Sequence, residues 1–134
     1  MKNPGIIAVV DDDTDDLELI TEAFLHADKG LEIRTYSSGR QLFNALCADQ
    51  VNPKPSLFII DYNMPEQGGP EIIELLCADP KYLAVPKIVL STSDSQLYQR
   101  ICKDKGADHY FKKPNNFDQW VRMATEILEI MKSV

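Results

Sequence analysis

Five short β-rich runs alternate along the chain with longer segments whose apolar residues recur at helical spacing. The first run, Ile6–Val10, is apolar throughout, as are strands that are buried on both faces of a parallel sheet. The other four runs lie at 33–36, 57–60, 88–90 and 109–111. Because each parallel connection needs a crossover, this strict alternation predicts an α/β fold with helices on both faces of a five-stranded parallel sheet.

Signals that start and stop helices fall between these runs. The five predicted starts share capping or first-turn chemistry and lie at Asp15, Ser38, Pro70, about Asp94 and Asn116. The fourth helix is expected to end at Gly106, just after Lys103 and Lys105. Glycine readily adopts the left-handed conformation that ends a helix, and cations are favoured near the last carbonyl groups.

Length and charge restrict the class of protein. A chain of 134 residues that is 44% hydrophobic and 26% charged fits one globular domain with a core. Its net charge of −7 argues against a nucleic-acid partner, because a phosphate backbone would be repelled. The apolar runs fall far short of the ~20 residues that a membrane span needs, and no leader is visible. We therefore expect a cytoplasmic protein without a membrane partner.

Polar side chains stand where four of the five predicted strands end. Asp11 and Asp12 follow the first strand, Asp61 the third, Ser91 the fourth and Lys113 the fifth. Ligands of open α/β sheets bind at these carboxyl ends. Clustered carboxylates repel one another unless a cation neutralises them, and oxygen ligands suit Mg²⁺. Carboxylates, Mg²⁺, a hydroxyl and an ammonium group together indicate a phosphoryl-transfer site in which one carboxylate is the nucleophile.

Four motifs, taken in order, resemble the receiver domains of response regulators. They are Val9-Val10-Asp11-Asp12, Asp61-Tyr62-Asn63-Met64-Pro65 with Gly69, Ser91 at the end of the fourth strand, and Lys113-Pro114. The resemblance covers nearly the whole chain and implies a flavodoxin-like sheet with the strand order 2-1-3-4-5. It includes stand-alone receivers of the chemotaxis type. The segment 77–93 also resembles single-domain receivers that partner phytochrome-type kinases.

The resemblance implies a role for each residue that matches a motif. Asp61 would accept the phosphoryl group and contact Mg²⁺. Asp12 would bind Mg²⁺ directly, Asp11 would hold it through water, and Asn63 would add its backbone carbonyl.

The remaining matched residues would recognise the phosphoryl group and respond to it. Lys113 stands at the position of the receiver lysine, Ser91 at that of a hydroxyl that bonds the phosphoryl group, and Tyr110 at that of an aromatic residue that rotates on activation. The chain departs from the usual pattern at Gly68, where an acid is common, and at Thr92, where a smaller residue is usual.

The resemblance also implies partners. A receiver is a signalling domain rather than an enzyme, and it catalyses at most its own phosphorylation and dephosphorylation. Its phosphoryl donor would be the phosphohistidine of a sensor histidine kinase or phosphotransfer protein. We expect a single receiver domain, residues 1–134 with a core at about 6–131, and no output domain. The signal would then pass to a downstream protein through the fourth helix, the fifth strand and the fifth helix.

The acidic residues admit other interpretations. Asp11, Asp13, Asp15 and Glu22 have the spacing of an EF-hand loop, but a strand precedes them and Asp16 stands where the sharp turn requires glycine. A haloacid-dehalogenase-type phosphatase also uses an aspartate nucleophile, although its motif is out of register here. A pseudo-receiver that binds partners without phosphorylation is the third alternative. In the receiver interpretation, Asp13 and Asp15 are acids favoured by the dipole at a helix N-terminus.

Overall fold

Five strands and five helices alternate within the part of the chain that the structure describes, as predicted. The computed structural model describes residues 5–48 and 54–133. The strands are Ile6–Val10 (β1), Glu32–Tyr36 (β2), Leu57–Asp61 (β3), Lys87–Ser91 (β4) and His109–Lys112 (β5). The helices are Thr14–Ala27 (α1), Gly39–Cys47 (α2), Gly69–Cys77 (α3), Gln96–Lys105 (α4) and Phe117–Lys132 (α5). Within the described ranges, no helix is both long and apolar enough to cross a bilayer.

The strands form one parallel sheet in the order β2-β1-β3-β4-β5, which confirms the predicted topology. The order reverses at β1, whose neighbours are β2 on one side and β3 on the other. Chain segments that leave neighbouring strands on opposite sides of the sheet open a crevice at such a point. The acidic residues that follow β1 and β3 therefore lie at the topological switch point of the sheet.

Helices cover both faces of the sheet, and the alternation of side chains along each strand supplies both cores. Ile7 and Val9 of β1 face α1 and α5, whereas Ala8 and Val10 face α2, α3 and α4. All four side chains are fully buried. The unbroken apolar run at 6–10 is thus explained by burial on both sides.

Two predicted helix starts were wrong by one or two residues. The N-cap of α1 is Asp13 rather than Asp15, because the Asp13 carboxylate accepts the backbone N–H groups of Asp15 and Asp16 at 2.9 and 3.2 Å. The N-cap of α4 is Ser95 rather than Asp94. In both places several adjacent residues have capping side chains, and only the path of the chain decides which of them is used.

The other helix signals are confirmed. Ser38 and Asn116 cap α2 and α5, and each side chain accepts the N–H group of the third residue that follows it. Pro70 lies in the first turn of α3. Gly106 ends α4 with a φ of 112°, in the left-handed region where glycine alone has no steric cost.

Candidate functional site

The ends of β1 and β3 bring two buried aspartates together. Val10 pairs with Ile60, so Asp11 and Asp61, the next residue of each segment, stand at the same level of the sheet. The side chains of Asp11 and Asp61 are only 2% and 8% exposed. Two carboxylates so poorly hydrated are costly unless a cation lies against them.

Lys113, which follows β5, supplies that cation. Its backbone N–H donates to the carbonyl of Ser91 at 2.7 Å, which fixes the residue beside the end of β4. The side chain then reaches toward β1, where Nζ donates to Oδ2 of Asp11 at 2.9 Å and lies 3.1 Å from Oδ1 of Asp61. The predicted convergence of strand ends is thus present as direct ion pairs.

Asp16 is a further member of this site that sequence reasoning missed. Its Oδ2 accepts a hydrogen bond of 2.7 Å from Nζ of Lys113. The residue lies in the first turn of α1, three positions after the N-cap Asp13. A helix begun at Asp13 turns this side chain back toward the strand ends. No spacing rule for strand ends identifies it, because the contact depends on how the loop after β1 enters the helix.

The carboxyl groups perturb one another's ionisation. Burial and the nearby charge of Asp11 raise the pKa of Asp61 to about 6, although the ammonium of Lys113 opposes this shift. Burial also raises the pKa of Asp11, against a hydrogen bond from the Asp13 N–H and the contact with Lys113. Burial lowers the pKa of Lys113, but hydrogen bonds to Asp16 and Asp11 outweigh it, so the net shift is upward. At this site three carboxylates, those of Asp11, Asp16 and Asp61, surround the single ammonium of Lys113, so negative charge is in excess.

The excess charge lies where a divalent cation could bind. Oxygen atoms of Asp11, Asp12 and Asp61 all lie within 4.8 Å of one another, with Asp12 on the exposed side. Carboxylate oxygens with room for water ligands on one side match the coordination that Mg²⁺ prefers. The EF-hand spacing finds no support, since Asp13 is engaged as the cap of α1.

Gly69 allows the loop after β3 to pass close to the site. Its N–H donates to the carbonyl of Tyr62 at 3.0 Å, and a Cβ atom on Gly69 would lie 2.6 Å from the backbone oxygen of Asp61. That distance is shorter than any tolerated contact, so a side chain here would displace the strand end. Asn63 lies on this loop with an exposed side chain.

Ser91 and Tyr110 lie on the β4 and β5 side of Asp61. Ser91 is buried, and its hydroxyl accepts the N–H group of Ser93 at 3.1 Å. The hydroxyl of Tyr110 donates to the carbonyl of Ser93 at 2.6 Å, and burial raises the pKa of the Tyr110 phenol. Both side chains therefore bond to the short loop between β4 and α4. Thr92, in the same loop, is exposed.

Comparisons with known proteins agree with this geometry. Residues 7–125 match the family model described as the response regulator receiver domain. The chain is 28% identical over 131 residues, or 98% of its length, to Protein RcaC of Microchaete diplosiphon. It spans 19% of RcaC, and only 6% of a second relative, histidine kinase P4 of Formosa agariphila.

Solved structures give the same result. The phosphorylated cyanobacterial phytochrome response regulator RcpA superposes with a TM-score of 0.85 at 27% identity, covering 96% of this chain and 94% of RcpA. The response regulator RPA3017, from red light signalling in R. palustris, gives 0.84 at 26% identity and covers 94% and 92%. This chain belongs to the receiver domains of two-component response regulators.

Proposed function

We propose that this receiver domain accepts a phosphoryl group on Asp61 and thereby switches a surface that binds a downstream protein. The observation that carries the proposal is the buried Asp61 carboxylate, which lies 3.1 Å from the Lys113 ammonium and within 4.8 Å of the oxygens of Asp11 and Asp12. We further propose that the core at about 6–131 is one receiver domain, of which 49–53 lies outside the described residues.

The proposed donor is the phosphohistidine of a sensor histidine kinase or phosphotransfer protein. A carboxylate oxygen of Asp61 attacks the phosphorus atom, the P–N bond breaks, and the bonding electron pair stays on the imidazole nitrogen. That nitrogen takes a proton from water, so the products are an acyl phosphate on Asp61 and a neutral histidine on the donor. Attack by water on the phosphorus atom later releases phosphate and restores the carboxylate. RcpA, at 27% identity, is a phosphorylated relative.

Asp11, Asp12, Asp61 and the backbone carbonyl of Asn63 are the proposed ligands of Mg²⁺. When bound, the ion would offset the negative charge that gathers on the phosphoryl oxygens. Lys113 holds its ammonium against two of these carboxylates, Asp11 and Asp61, and remains charged, since its pKa is raised. It is placed to donate to a phosphoryl oxygen.

Ser91 and Tyr110 are the proposed switch residues. A phosphoryl group adds acceptor oxygens beside β4, and the hydroxyl of Ser91 can donate to them. Movement of Ser91 also moves Ser93, whose carbonyl now accepts from Tyr110. Release of that bond lets the Tyr110 ring turn, which changes the face formed by α4, β5 and α5. This face is the proposed binding site of the downstream protein.

Incubation with acetyl phosphate and Mg²⁺, followed by intact mass measurement, tests this function. We expect one labile phosphoryl adduct per chain. No adduct should form when chelator replaces Mg²⁺, because the carboxylate cluster needs the cation to accept a phosphoryl group. A generic phosphate ester serves as the comparison substrate. Repeated turnover of the ester would instead indicate a phosphatase of the haloacid-dehalogenase type. An intact fold with no adduct would indicate a pseudo-receiver.

A further inference from the structure

Lys113 has as many carboxylate partners as its ammonium group has hydrogens. Nζ lies 2.9 Å from Asp11, 2.7 Å from Asp16 and 3.1 Å from Asp61. An ammonium group has three N–H donors and accepts nothing. The Lys113 side chain is only 9% exposed, and two of its N–H groups donate to the carboxylates of Asp11 and Asp16. Phosphorylation converts the third partner, Asp61, into an acyl phosphate, so a phosphoryl oxygen that takes the place of the Asp61 carboxylate must share the ammonium with Asp11 and Asp16.

Of the two carboxylates that remain, Asp16 is the one that can give up the ammonium most readily. It is not among the carboxylates that can share a cation, which are Asp11, Asp12 and Asp61. Its side chain is 21% exposed, against 2% for Asp11, so water can solvate it once it leaves the ammonium. It also lies in the first turn of α1, where the helix dipole favours a negative charge.

We propose that Asp16 is a positioning residue that holds Lys113 in the unphosphorylated protein and competes with the phosphoryl group for its ammonium. The inference rests on the proposed function of Asp61. The contact sets a threshold, because Asp16 holds the ammonium through the shortest of the three ion pairs and phosphorylation brings new negative charge close to Asp16. Removing the Asp16 charge therefore favours the phosphorylated state.

Binding of beryllofluoride, a stable mimic of the phosphoryl group, measures this competition in the presence of Mg²⁺. Asp16→Asn keeps the size of the side chain but removes its charge, and we expect calorimetry to show roughly three- to tenfold tighter beryllofluoride binding, the effect of removing one like charge near a protein surface. Asp15→Asn is the matched control, since Asp15 is the adjacent acid in the same helical turn and is exposed. Asp16→Glu restores the charge and should return the affinity to within about twofold of wild type.

Affinity for Mg²⁺ alone separates this role from a merely structural one. Asp16→Asn should leave Mg²⁺ binding within about twofold of wild type, because Asp16 lies outside the carboxylate cluster. Unchanged or weaker beryllofluoride binding in Asp16→Asn, or an equal gain in Asp15→Asn, contradicts the inference while leaving the role of Asp61 intact. Wild-type protein that binds Mg²⁺ but no beryllofluoride contradicts the inference and the proposed function together.

Discussion

At neutral pH Asp61 is mostly ionised, and burial makes that charge costly to the folded protein. Its carboxyl is buried beside Asp11, and together these raise its pKa from 3.8 to about 6. Between these values the folded state binds more protons than the unfolded state, so stability falls as pH rises through that window. The site therefore gives up stability to keep a poorly hydrated carboxylate ready for reaction.

Replacing Asp61 by asparagine should stabilise the metal-free protein. At pH 7.5 in chelator we expect a gain in the free energy of unfolding on the order of 2 kcal/mol, because asparagine cannot ionise. The gain should shrink below about pH 6 and vanish below the unfolded pKa of 3.8, where Asp61 is protonated in both states. Urea denaturation across this pH range measures it.

Glu129→Gln is the control, because it removes an exposed acid from α5 far along the chain from the site. Its effect should be small and nearly independent of pH in the same window. A loss of stability in Asp61→Asn at pH 7.5, or a gain that grows as the pH falls, would contradict the account of the Asp61 charge.

Most residues of the site could be predicted because their positions follow from the ends of parallel strands. Asp11, Asp61 and Lys113 converge as expected. Asp16 could not be found in this way, since its contact requires a helix that begins at Asp13. Local spacing cannot show which of several consecutive acids contacts Lys113. The path of the turn after β1 decides it.

At the scale of helices and strands, a second buried lysine holds the segment that leads into β4. Lys87 is 1% exposed, and its ammonium donates to the backbone carbonyls of Tyr82, Leu83 and Val85 at 2.7, 3.0 and 2.7 Å. These carbonyls belong to the connection between α3 and β4. Burial lowers the pKa of Lys87, and the three bonds satisfy every donor of its ammonium group. The lysine thus fastens this connection to the strand that ends at Ser91.

Replacing Lys87 by methionine should lower the stability of the protein, because the connection between α3 and β4 loses its bonds to the ammonium group. The methionine fills similar volume but removes the ammonium donor from three carbonyl groups, of which that of Tyr82 still accepts the N–H group of Val85. We expect a loss of about 1–3 kcal/mol in the free energy of unfolding. Lys103→Met on the exposed side of α4 is the matched control and should change stability little. Equal effects of the two substitutions in urea denaturation would show that the buried bonds contribute nothing specific.

Sequence patterns did not identify Lys87, because a lysine at the start of an apolar run normally predicts an exposed strand end. The boundary of β4 at this residue shows why the pattern misleads. The strand pairs from Lys87 onward with β3, which draws the lysine stem beneath the preceding turn.

For the whole molecule, aromatic side chains connect the end of the sheet that carries the proposed phosphoryl acceptor to the proposed partner face. The ring of Tyr62, next to Asp61, stacks on Tyr98 of α4 with centroids 4.3 Å apart and planes 11° apart. Tyr110 of β5 bonds to the loop that precedes α4. A change at Asp61 can thus reach α4 both through its neighbour in sequence and through the loop after β4.

Amide hydrogen exchange should show where the signal goes. With beryllofluoride and Mg²⁺ we expect altered protection between Ser91 and Lys113, because the bond between Tyr110 and Ser93 must rearrange. Asp61→Asn is the control and should show no such change. Altered protection confined to α1 and α2 would place the output face at the opposite edge of the sheet, away from β5.

Fold class could be predicted because strict alternation of strands and helices requires parallel strands with crossover connections. The strand order was implied by the resemblance to receiver domains. The location of the site followed, since ligands of such sheets bind at the switch point. The contacts between helices and loops, such as the stacked pair Tyr62 and Tyr98, were not predictable. They join residues distant in sequence, and their spacing follows no helical or strand period.

Locating the phosphoryl group on the chain tests the central claim most directly. The protein is incubated with acetyl phosphate and Mg²⁺ and then treated with borohydride, which reduces an acyl phosphate to a primary alcohol. Digestion and mass spectrometry identify the converted residue. The account predicts conversion at Asp61, none in the absence of acetyl phosphate, and none at Asp11, Asp12 or Asp16. Conversion at any of those three aspartates in place of Asp61 would contradict it.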